Sequence, residues 1–379
     1  MNSNYKRVSR QRTCLICGKP DWCSYTPDAK ISFCARIVTN ADRVSRTGWG
    51  VFYHDKSLFA ESRLPLPSKP PPKKPELAPI EIRDFAYRKL IALSPANNSE
   101  ILINGKSGLL ERKIFDFQNY GSLPQNQAKR NKLAQVIRQS LNRNFPDYVR
   151  RNKSSLFGLP GFWLDNQGNS RLWSEKDICN PMLVIPYRNS SGLIQACQIR
   201  VFGQVSPDAA RYLWLSTPRK SSGISAGTPL HFVSFQESDL QKPILVTEGA
   251  LKAETVQYYR PDFDIIANAG VCCSHSEIIE KCRFRSVIIA FDNDYFSNIY
   301  VARAIFKIAQ ALLVDSHKFK FFRQISVLSW NLSFKGIDDA LLNNSTLHSL
   351  SLKDWFCSLS SEFQYILNNQ FSTQKIFTN

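Results

Sequence analysis

The sequence ILVTEGALKAETV, at residues 244–256, decides the fold of the larger part of the chain. Its apolar run ends at Glu248 and Gly249, and a stretch with helical spacing follows directly. This pattern is typical of a buried parallel strand that leads into a crossover helix. Similar apolar runs and a helical stretch follow, at residues 263–267, 286–291, 299–313 and 324–328. We therefore predict α/β units that form a Rossmann-like parallel sheet with helices on both faces.

Acidic residues follow three of the four predicted strands. Glu248 follows the first strand, Asp292 and Asp294 follow the third, and Asp338 and Asp339 lie just beyond the fourth. Because the carboxyl ends of parallel strands meet at one edge of a sheet, we expect these carboxylates to converge. Carboxylates gathered in this way repel one another unless a cation compensates them, and their hard oxygen atoms suit Mg²⁺ or Mn²⁺. The sequence predicts a metal-dependent site at this edge.

The charge of the chain indicates a polyanionic partner. Its 379 residues include 49 Lys and Arg against 31 Asp and Glu, a formal net charge of +18. Such a balance favours nucleic-acid binding. An apolar fraction of 43% argues against a disordered protein. We expect no membrane span and a cytoplasmic location, since no apolar run approaches the ~18–20 residues of a spanning helix and no signal-peptide pattern is present.

Four of the ten cysteines lie near the start of the chain with the spacing C-x2-C-x5-C-x10-C, at Cys14, Cys17, Cys23 and Cys34. In a reducing compartment, clustered cysteines more often bind metal than form disulfides. We predict one structural zinc ion in a variant ribbon or knuckle, with His54 left open as a replacement ligand. Arginines and aromatic residues alternate around these cysteines, a composition that suits single-stranded nucleic acid.

The sequence predicts an α+β chain in five segments. Seven of the twenty prolines fall at residues 64–79, where we expect an extended tether. The five segments are a zinc-binding module at 1–60, a Pro-rich linker at 61–80, a helical then β-rich basic subdomain at 81–240, the α/β domain at 241–345 and a helical tail at 346–379.

The predicted basic subdomain begins with two stretches of helical spacing. The second, near residues 129–153, is rich in Lys and Arg, and both a solvated helix face and a phosphate-contacting face remain possible. Short strands follow on either side of the turn at 188–192, which predicts a hairpin. The NGKS sequence at 104–107 lacks the leading glycine of a phosphate-binding loop, so we reject a built-in ATPase there.

The acidic motifs resemble those of the Toprim domain, which bacterial DnaG-type primases share with topoisomerases and some nucleases. TEGALKA at 247–253 resembles its glutamate motif, AFDND at 290–294 its D-x-D motif, and KGIDD at 335–339 its third acidic motif. Upstream, LVIPY at 183–187 and RYLWLSTP at 211–218 resemble segments of the primase core. The cysteine module looks like the zinc-binding end of primase-like proteins from plasmids and phages.

This resemblance implies a primase, possessing a Toprim fold, that makes short RNA primers on a single-stranded DNA template from NTPs, in replication of a chromosome, plasmid, phage or other mobile element. It implies two catalytic Mg²⁺ or Mn²⁺ ions held by the carboxylates, with Glu248 also assisting proton transfer. The metal ligands would be Glu248, Asp292, Asp294, Asp338 and Asp339. The residues that would bind nucleic acid or NTP are Arg200, Arg211, Lys252 and Lys335.

Lys252 is the main departure from the family, which has an acidic residue four positions after the motif glutamate. This lysine weakens one metal site, so a non-catalytic DNA-binding replication or mobile-element factor remains an alternative. A Toprim-type nuclease is another alternative, because the same carboxylates serve cleavage. A topoisomerase would need a nucleophilic tyrosine in a further domain. We expect any replicative helicase partner to be encoded separately, because residues 346–379 are too few for a full helicase-binding domain.

Overall fold

The chain is described by a computed structural model. It divides into two compact units, Met1–Lys74 and Pro75–Asn379. Most of the predicted Pro-rich linker lies outside the described residues, and the predicted domain boundaries remain predictions. The structure describes residues 5–9, 11–19, 22–37, 41–45, 49–54, 76–104, 108–114, 116–203, 210–220, 222–271, 273–321 and 323–370.

The first unit contains a five-stranded antiparallel sheet in the order β1-β2-β3-β5-β4. The main apolar cluster among its described residues is small and consists of Val8 and the side chains of Cys14, Cys23 and Cys34. Apolar burial on this scale gives little stability to a small domain, which usually needs a metal or a covalent staple. The strands are β1 Lys6–Arg7, β2 Ser24–Tyr25, β3 Ile31–Cys34, β4 Arg43–Val44 and β5 Gly50–Tyr53.

The second unit begins with helices that cover a four-stranded antiparallel sheet in the order β11-β10-β9-β6. The predicted hairpin is confirmed, because β9 pairs with β10 from Met182↔Val201 to Arg188↔Ile194. Strands β7 and β8 form a separate two-stranded sheet and fall between β6 and β9 in the sequence. The elements are α1 Ile80–Leu93, α2 Ser99–Ile103, β6 Gly121–Ser122, α3 Gln127–Asn144, α4 Pro146–Asn152, β7 Phe162–Leu164, β8 Ser170–Leu172, β9 Met182–Arg188, β10 Ile194–Val201 and β11 Tyr212–Trp214.

A six-stranded sheet in the order β12-β14-β13-β15-β16-β17 forms the rest of the second unit. Its four central strands are parallel, as predicted, and the two edge strands are antiparallel. The elements are β12 His231–Val233, β13 Ile244–Glu248, α5 Ala250–Tyr259, β14 Asp264–Asn268, α6 His275–Lys281, β15 Val287–Ala290, α7 Ile299–Lys318, β16 Ile325–Ser329, α8 Ile337–Leu342, β17 His348–Ser351, α9 Leu352–Ser358 and α10 Ser361–Gln370.

Helices cover both faces of this sheet, which confirms the predicted fold class. Successive residues of β13 point to opposite faces, so Ile244 and Val246 pack in the cluster that contains α7. Leu245 packs instead with residues of α5 and α8 on the other face. A strand buried on both faces must be apolar throughout, which is why the run at 244–247 shows no polar alternation.

The tail predicted to be helical at 346–379 begins with a strand, β17, in the structure. β17 adds to the sheet antiparallel to β16 before α9 and α10 follow. Its residues are mostly exposed and polar, so the sequence carries no apolar period of two there. Trp355 of α9 is buried against Tyr295, with ring centroids 6.1 Å apart. None of the helices in the described ranges is long and apolar enough to cross a membrane.

We predict that a buried ion cluster at the start of β14 stabilises the sheet. Asp264 is fully buried, its carboxylate lies 3.0 Å from Lys242 Nζ and 2.8 Å from Arg285 Nη2, and it accepts a hydrogen bond from the Gln236 amide. Asp264→Asn leaves two cations uncompensated and is expected to lower the free energy of unfolding by about 3 kcal/mol. Urea unfolding, monitored by circular dichroism, measures this loss of free energy.

Asp262→Asn is the matched control, two residues away. Asp262 forms an exposed ion pair with Arg260, 2.7 Å between Nη2 and Oδ2, so its loss should cost less than about 1 kcal/mol. Equal stability of the Asp264→Asn and Asp262→Asn proteins would show that the buried cluster does not stabilise the sheet.

Candidate active site and cysteine cluster

Glu248 stands at the carboxyl end of β13, where the chain turns sharply into α5. The turn is made by Gly249, whose φ of +83° lies in the region that glycine adopts without strain. The Gly249 amide donates to the carbonyl oxygen of Asn268, at the end of the neighbouring strand, over 2.8 Å. This hydrogen bond fixes the position of the backbone at the end of β13, from which the Glu248 side chain extends.

The segment after β15 places two aspartates on either side of a buried asparagine. Asn293 donates from its side chain to the carbonyl oxygen of Trp330 (2.8 Å) and from its backbone to that of Lys335 (2.8 Å). These bonds tie the Asp292 to Asp294 turn to the loop that precedes α8, which carries the third acidic motif. The two acidic segments are therefore held side by side.

A cleft of about 320 Å³ opens at this edge of the sheet. Four predicted site residues, Glu248, Lys252, Asp292 and Asp338, share it. Its opposite wall comes from β9, β10 and β11 and from the segment that carries Arg112. The full lining is Arg112, Tyr187, Gln198, Tyr212, Glu248, Gly249, Ala250, Leu251, Lys252, Ala269, Asp292 and Asp338.

Protein cations compensate most of the carboxylates. Lys252 Nζ contacts Asp292 Oδ1, and both side chains are about six-sevenths buried, at 14% and 15% exposure. Arg112 Nη1 contacts Asp338 Oδ2 in an equally buried pair. Lys335, which is 64% exposed, reaches Asp294 Oδ2 at 3.2 Å and Asp292 Oδ2 at 3.6 Å. The cleft thus contains two buried ion pairs, and Lys335 forms an exposed pair with Asp294 beside it.

These charges shift the pKa values in opposite directions. Burial raises the pKa of Glu248, and the attraction of Lys252 does not fully offset this effect. Burial would also raise the pKa of Asp338, but the nearby Lys252 and Arg112 hold it below its usual range. Burial would lower the pKa of Lys252, yet Asp292 and Asp338 raise it. Lys252 and Asp338 are therefore both charged at neutral pH.

Two carboxylates retain oxygen atoms that could accept a metal ion. The Glu248 carboxylate accepts no hydrogen bond from any residue that the structure describes. Asp294 Oδ1 is buried and likewise has no hydrogen-bond partner in the described ranges. With Asp292 Oδ2, these are carboxylate oxygen atoms, the kind of ligand that a hard divalent cation binds. The carboxylates are still spread apart, since among the described residues only the cysteines bring three or more ligand atoms within 4.8 Å of one another.

Five predicted residues lie outside the cleft lining: Asp294 and Lys335, described above, and Arg200, Arg211 and Asp339. Arg200 is buried against Tyr212: its Nη1 contacts the Tyr212 hydroxyl and its guanidinium lies 4.8 Å from the centre of that ring. Arg211 is exposed on the approach to β11, and Asp339 lies beside Asp338 in the first turn of α8. Their assigned roles toward phosphate or metal remain predictions.

Sequence reasoning missed Arg112, Gln198 and the ring of Tyr212. Arg112 follows no strand and lies 226 residues from its partner Asp338, so no spacing rule could connect the two. For the basic stretch near residues 129–153, the sequence left open a solvated helix face and a phosphate-contacting face. The structure answers this question for one of its residues. Arg130 is fully buried and donates to the carbonyl oxygens of four residues, so it stabilises the subdomain and contacts no phosphate.

The four N-terminal cysteines form one compact group, as predicted. Cys23 Sγ lies 3.7 Å from Cys17 Sγ and 3.9 Å from Cys34 Sγ, and a tetrahedral ion with ~2.3 Å metal–sulfur bonds sets sulfur atoms about 3.8 Å apart. The amides of Ala35 and Ile37 donate to Cys23 and Cys34 sulfur, at 3.4 and 3.2 Å. This group could hold one zinc ion.

His54 is not part of this group. Its Nε2 hydrogen-bonds the Ser32 hydroxyl at 2.8 Å, and the four-cysteine set is complete without it. The turn of the first cysteine pair uses Gly18, whose φ is +68° and whose amide donates to the Cys14 carbonyl oxygen over 2.8 Å. This glycine closes the knuckle that the C-x2-C-G sequence predicts.

Comparison with known proteins finds similar structures but no similar sequences. No known sequence family and no curated protein sequence matches the chain. The structure is similar to a DNA primase domain from Pseudomonas aeruginosa, with 15% identity, a TM-score of 0.47, and coverage of 76% of this chain and 82% of that one. It is also similar to the Aquifex aeolicus primase zinc-binding and RNA polymerase domains, with 13% identity, a TM-score of 0.46, and coverage of 99% and 91%.

A third similar structure is a DnaG primase catalytic domain bound to single-stranded DNA. It shares 15% identity over 77% of this chain and 92% of that one, with a TM-score of 0.44. These proteins are of the kind that the acidic motifs resemble. Likeness at this level of identity concerns the fold, so the function of this chain rests on its own residues.

We predict that the purified chain carries one zinc ion and that Cys34→Ser releases it. Cys34 is fully buried in the cysteine group, and losing one of four thiolates removes a quarter of the ligand set. Elemental analysis of the full chain measures zinc. Cys179→Ser is the control, since Cys179 is exposed and lies far along the chain. Equal zinc content in the Cys34→Ser and unsubstituted proteins would exclude this site.

Proposed function

We propose that the chain is a primase-like nucleotidyltransferase that makes short RNA primers on single-stranded DNA. The observation that carries this proposal is the cleft itself. Carboxylates from separate strand ends of the parallel sheet face a wall from the antiparallel sheet, with Tyr212 and Gln198. A cleft of about 320 Å³ is within the range of small-molecule sites, and its mixture of acids and cations suits a nucleoside triphosphate.

Each side chain of the cleft has a role in this proposal. Glu248, Asp292 and Asp294 would hold a divalent cation, Mg²⁺ or Mn²⁺. When bound, that ion supplies positive charge to the triphosphate of the incoming nucleotide and orients it. Arg112 keeps Asp338 ionised and in place through their buried contact. Glu248, whose pKa burial raises, is the carboxylate best able to take up a proton from the attacking hydroxyl group.

Tyr212 would position the base. Its side chain is 40% exposed in the cleft wall, while Arg200 contacts its hydroxyl and lies over its ring. A ring held from behind by a buried guanidinium presents its other surface at low entropic cost, and aromatic rings stack on any base. Arg200 acts here through Tyr212 rather than on phosphate directly.

The first unit would contribute to template binding. Trp22 is 66% exposed, and the guanidinium of Arg12 lies 4.1 Å from the centre of the Tyr25 ring. Exposed aromatic rings with adjacent cations suit single-stranded DNA, in a chain of net charge +18. Clustered cysteines that form no disulfide are typical of a reducing compartment, so we propose that the protein works in the cytoplasm.

A non-catalytic DNA-binding factor is the second candidate. The contact between Lys252 and Asp292 supports it, because a protein cation occupies one of the carboxylates that a metal would use. A Toprim-type nuclease would employ the same carboxylates for cleavage. The order along the chain of zinc module, basic subdomain and α/β domain with acidic motifs favours primer synthesis over both alternatives.

We predict that Asp292→Asn abolishes primer synthesis but not template binding. The substitution keeps the shape of the side chain and removes one negative charge from the cleft. Loss of a metal ligand should lower the rate by a factor on the order of 10³. The assay combines labelled NTPs, Mg²⁺ or Mn²⁺ and a single-stranded template, with products sized on a gel. Fluorescence anisotropy measures template affinity on the same preparation.

Asp262→Asn is the control, since its exposed ion pair with Arg260 lies outside the cleft lining. It should leave synthesis unchanged. Undiminished synthesis by Asp292→Asn would show that the cleft is not the active site. Template shortening by the unsubstituted protein would favour the nuclease, and template binding without any synthesis or cleavage would favour the non-catalytic factor.

A further inference from the structure

Lys252 occupies the interior of the acidic cleft. It lies in the first helical turns of α5, its side chain is 14% exposed, and Nζ contacts Asp292 Oδ1. Gly336 makes room for it, because a Cβ atom there would stand 3.2 Å from Lys252 Cε and would collide with Asp338 Oδ1. The ammonium group is therefore enclosed between two acidic segments and has little freedom to leave.

The inner carboxylates are neutralised by buried protein cations. Lys252 contacts Asp292, and Arg112 contacts Asp338, each in a pair whose side chains are at most 15% exposed. Removing either cation would leave a buried carboxylate uncompensated, which is costly. Both pairs are thus fixed parts of the fold rather than contacts that a ligand easily displaces.

The other two carboxylates, those of Glu248 and Asp294, have no buried cation among the described residues in direct contact with them. The Glu248 carboxylate accepts no hydrogen bond within the described part of the chain, and Asp294 Oδ1 is buried with no hydrogen-bond partner there. The cation beside Asp294 is Lys335, which is 64% exposed and lies 3.2 Å from Asp294 Oδ2 and 3.6 Å from Asp292 Oδ2. An exposed lysine contributes little to such a pair, so it can swing into solvent when a divalent ion arrives.

We propose that Lys252 is a built-in cation that fills the place of a second divalent ion, so that the cleft holds one divalent ion only. That ion is bound by Glu248, Asp292 and Asp294. This inference rests on the proposed function in one respect, that the cleft binds a divalent cation. Four carboxylates less two buried protein cations leave two negative charges, which one divalent ion balances. A second ion beside the ammonium group would meet strong repulsion.

The test counts the Mn²⁺ ions bound by the full-length, zinc-loaded protein. Electron paramagnetic resonance of free Mn²⁺ gives the number bound, and Asp292→Asn supplies the background from sites outside the cleft. We expect one cleft ion in the unsubstituted protein and two in Lys252→Glu. Lys281→Glu is the control, since Lys281 pairs with the exposed Glu237 away from the cleft, and it should still bind one.

Lys252→Gln gives a second measurement if Lys252→Glu folds poorly. It removes the charge and nearly keeps the length, so the single ion should bind at least about tenfold more tightly. Two cleft ions or none in the unsubstituted protein would overturn the inference, as would one ion in a folded Lys252→Glu. An unchanged affinity in Lys252→Gln would also overturn it.

Primer synthesis measured on the same preparations separates this inference from the proposed function. One bound ion without primer synthesis would refute the proposed function and support the single-ion cleft. Primer synthesis with two bound cleft ions would support the function and refute the role given to Lys252.

Discussion

Compensation of carboxylates at one edge of a parallel sheet is the constraint on which the second unit depends. The topology brings Glu248, Asp292 and Asp338 to the same edge, because each follows a parallel strand. Such a group of like charges would push the strand ends apart. Lys252 and Arg112 supply the opposing charges from within the protein, so the edge is stable before any ligand binds.

Arg112 also links the two halves of the second unit. It comes from the helical region ahead of the antiparallel sheet, whereas Asp338 belongs to α8 on the parallel sheet. Behind this pair, Leu183 and Tyr187 of β9 pack against Ala250 and Leu251 of α5 in one buried cluster. The wall of the cleft and its acidic floor therefore belong to one packed body, and the distance between Tyr212 and the carboxylates is set by the core.

Much of this arrangement could be predicted from the sequence. The apolar run before Glu248 is buried on both faces of the sheet, so it identified a parallel strand, and strand order then predicted that Asp292 would lie nearby. The cysteine spacing predicted the four-thiol group. β17 could not be predicted, because its mostly polar residues lie at an exposed edge of the sheet. Its sequence therefore shows no alternation of apolar and polar residues. Arg112 could not be found either, since its position depends on tertiary packing of distant segments.

Lys252 shows why the chemistry of the site needs the structure. From the sequence it is a lysine where related motifs carry an acid, and the resemblance assigns it to the binding of nucleic acid or NTP. The structure buries its ammonium group against Asp292. The departure from the motif therefore places a positive charge where related motifs have a negative one. The proposed number of divalent ions in the cleft rests on that contact and not on the count of aspartates.

The most direct test of this account is the anomalous scattering of Mn²⁺ in crystals of the full-length protein. The account predicts one peak in the cleft, bordered by the carboxylates of Glu248, Asp292 and Asp294, with Lys252 still in contact with Asp292 and Lys335 turned away. A peak between Asp292 and Asp338, in the place of the Lys252 ammonium group, would contradict it. A cleft with no peak at saturating Mn²⁺ would contradict it as well.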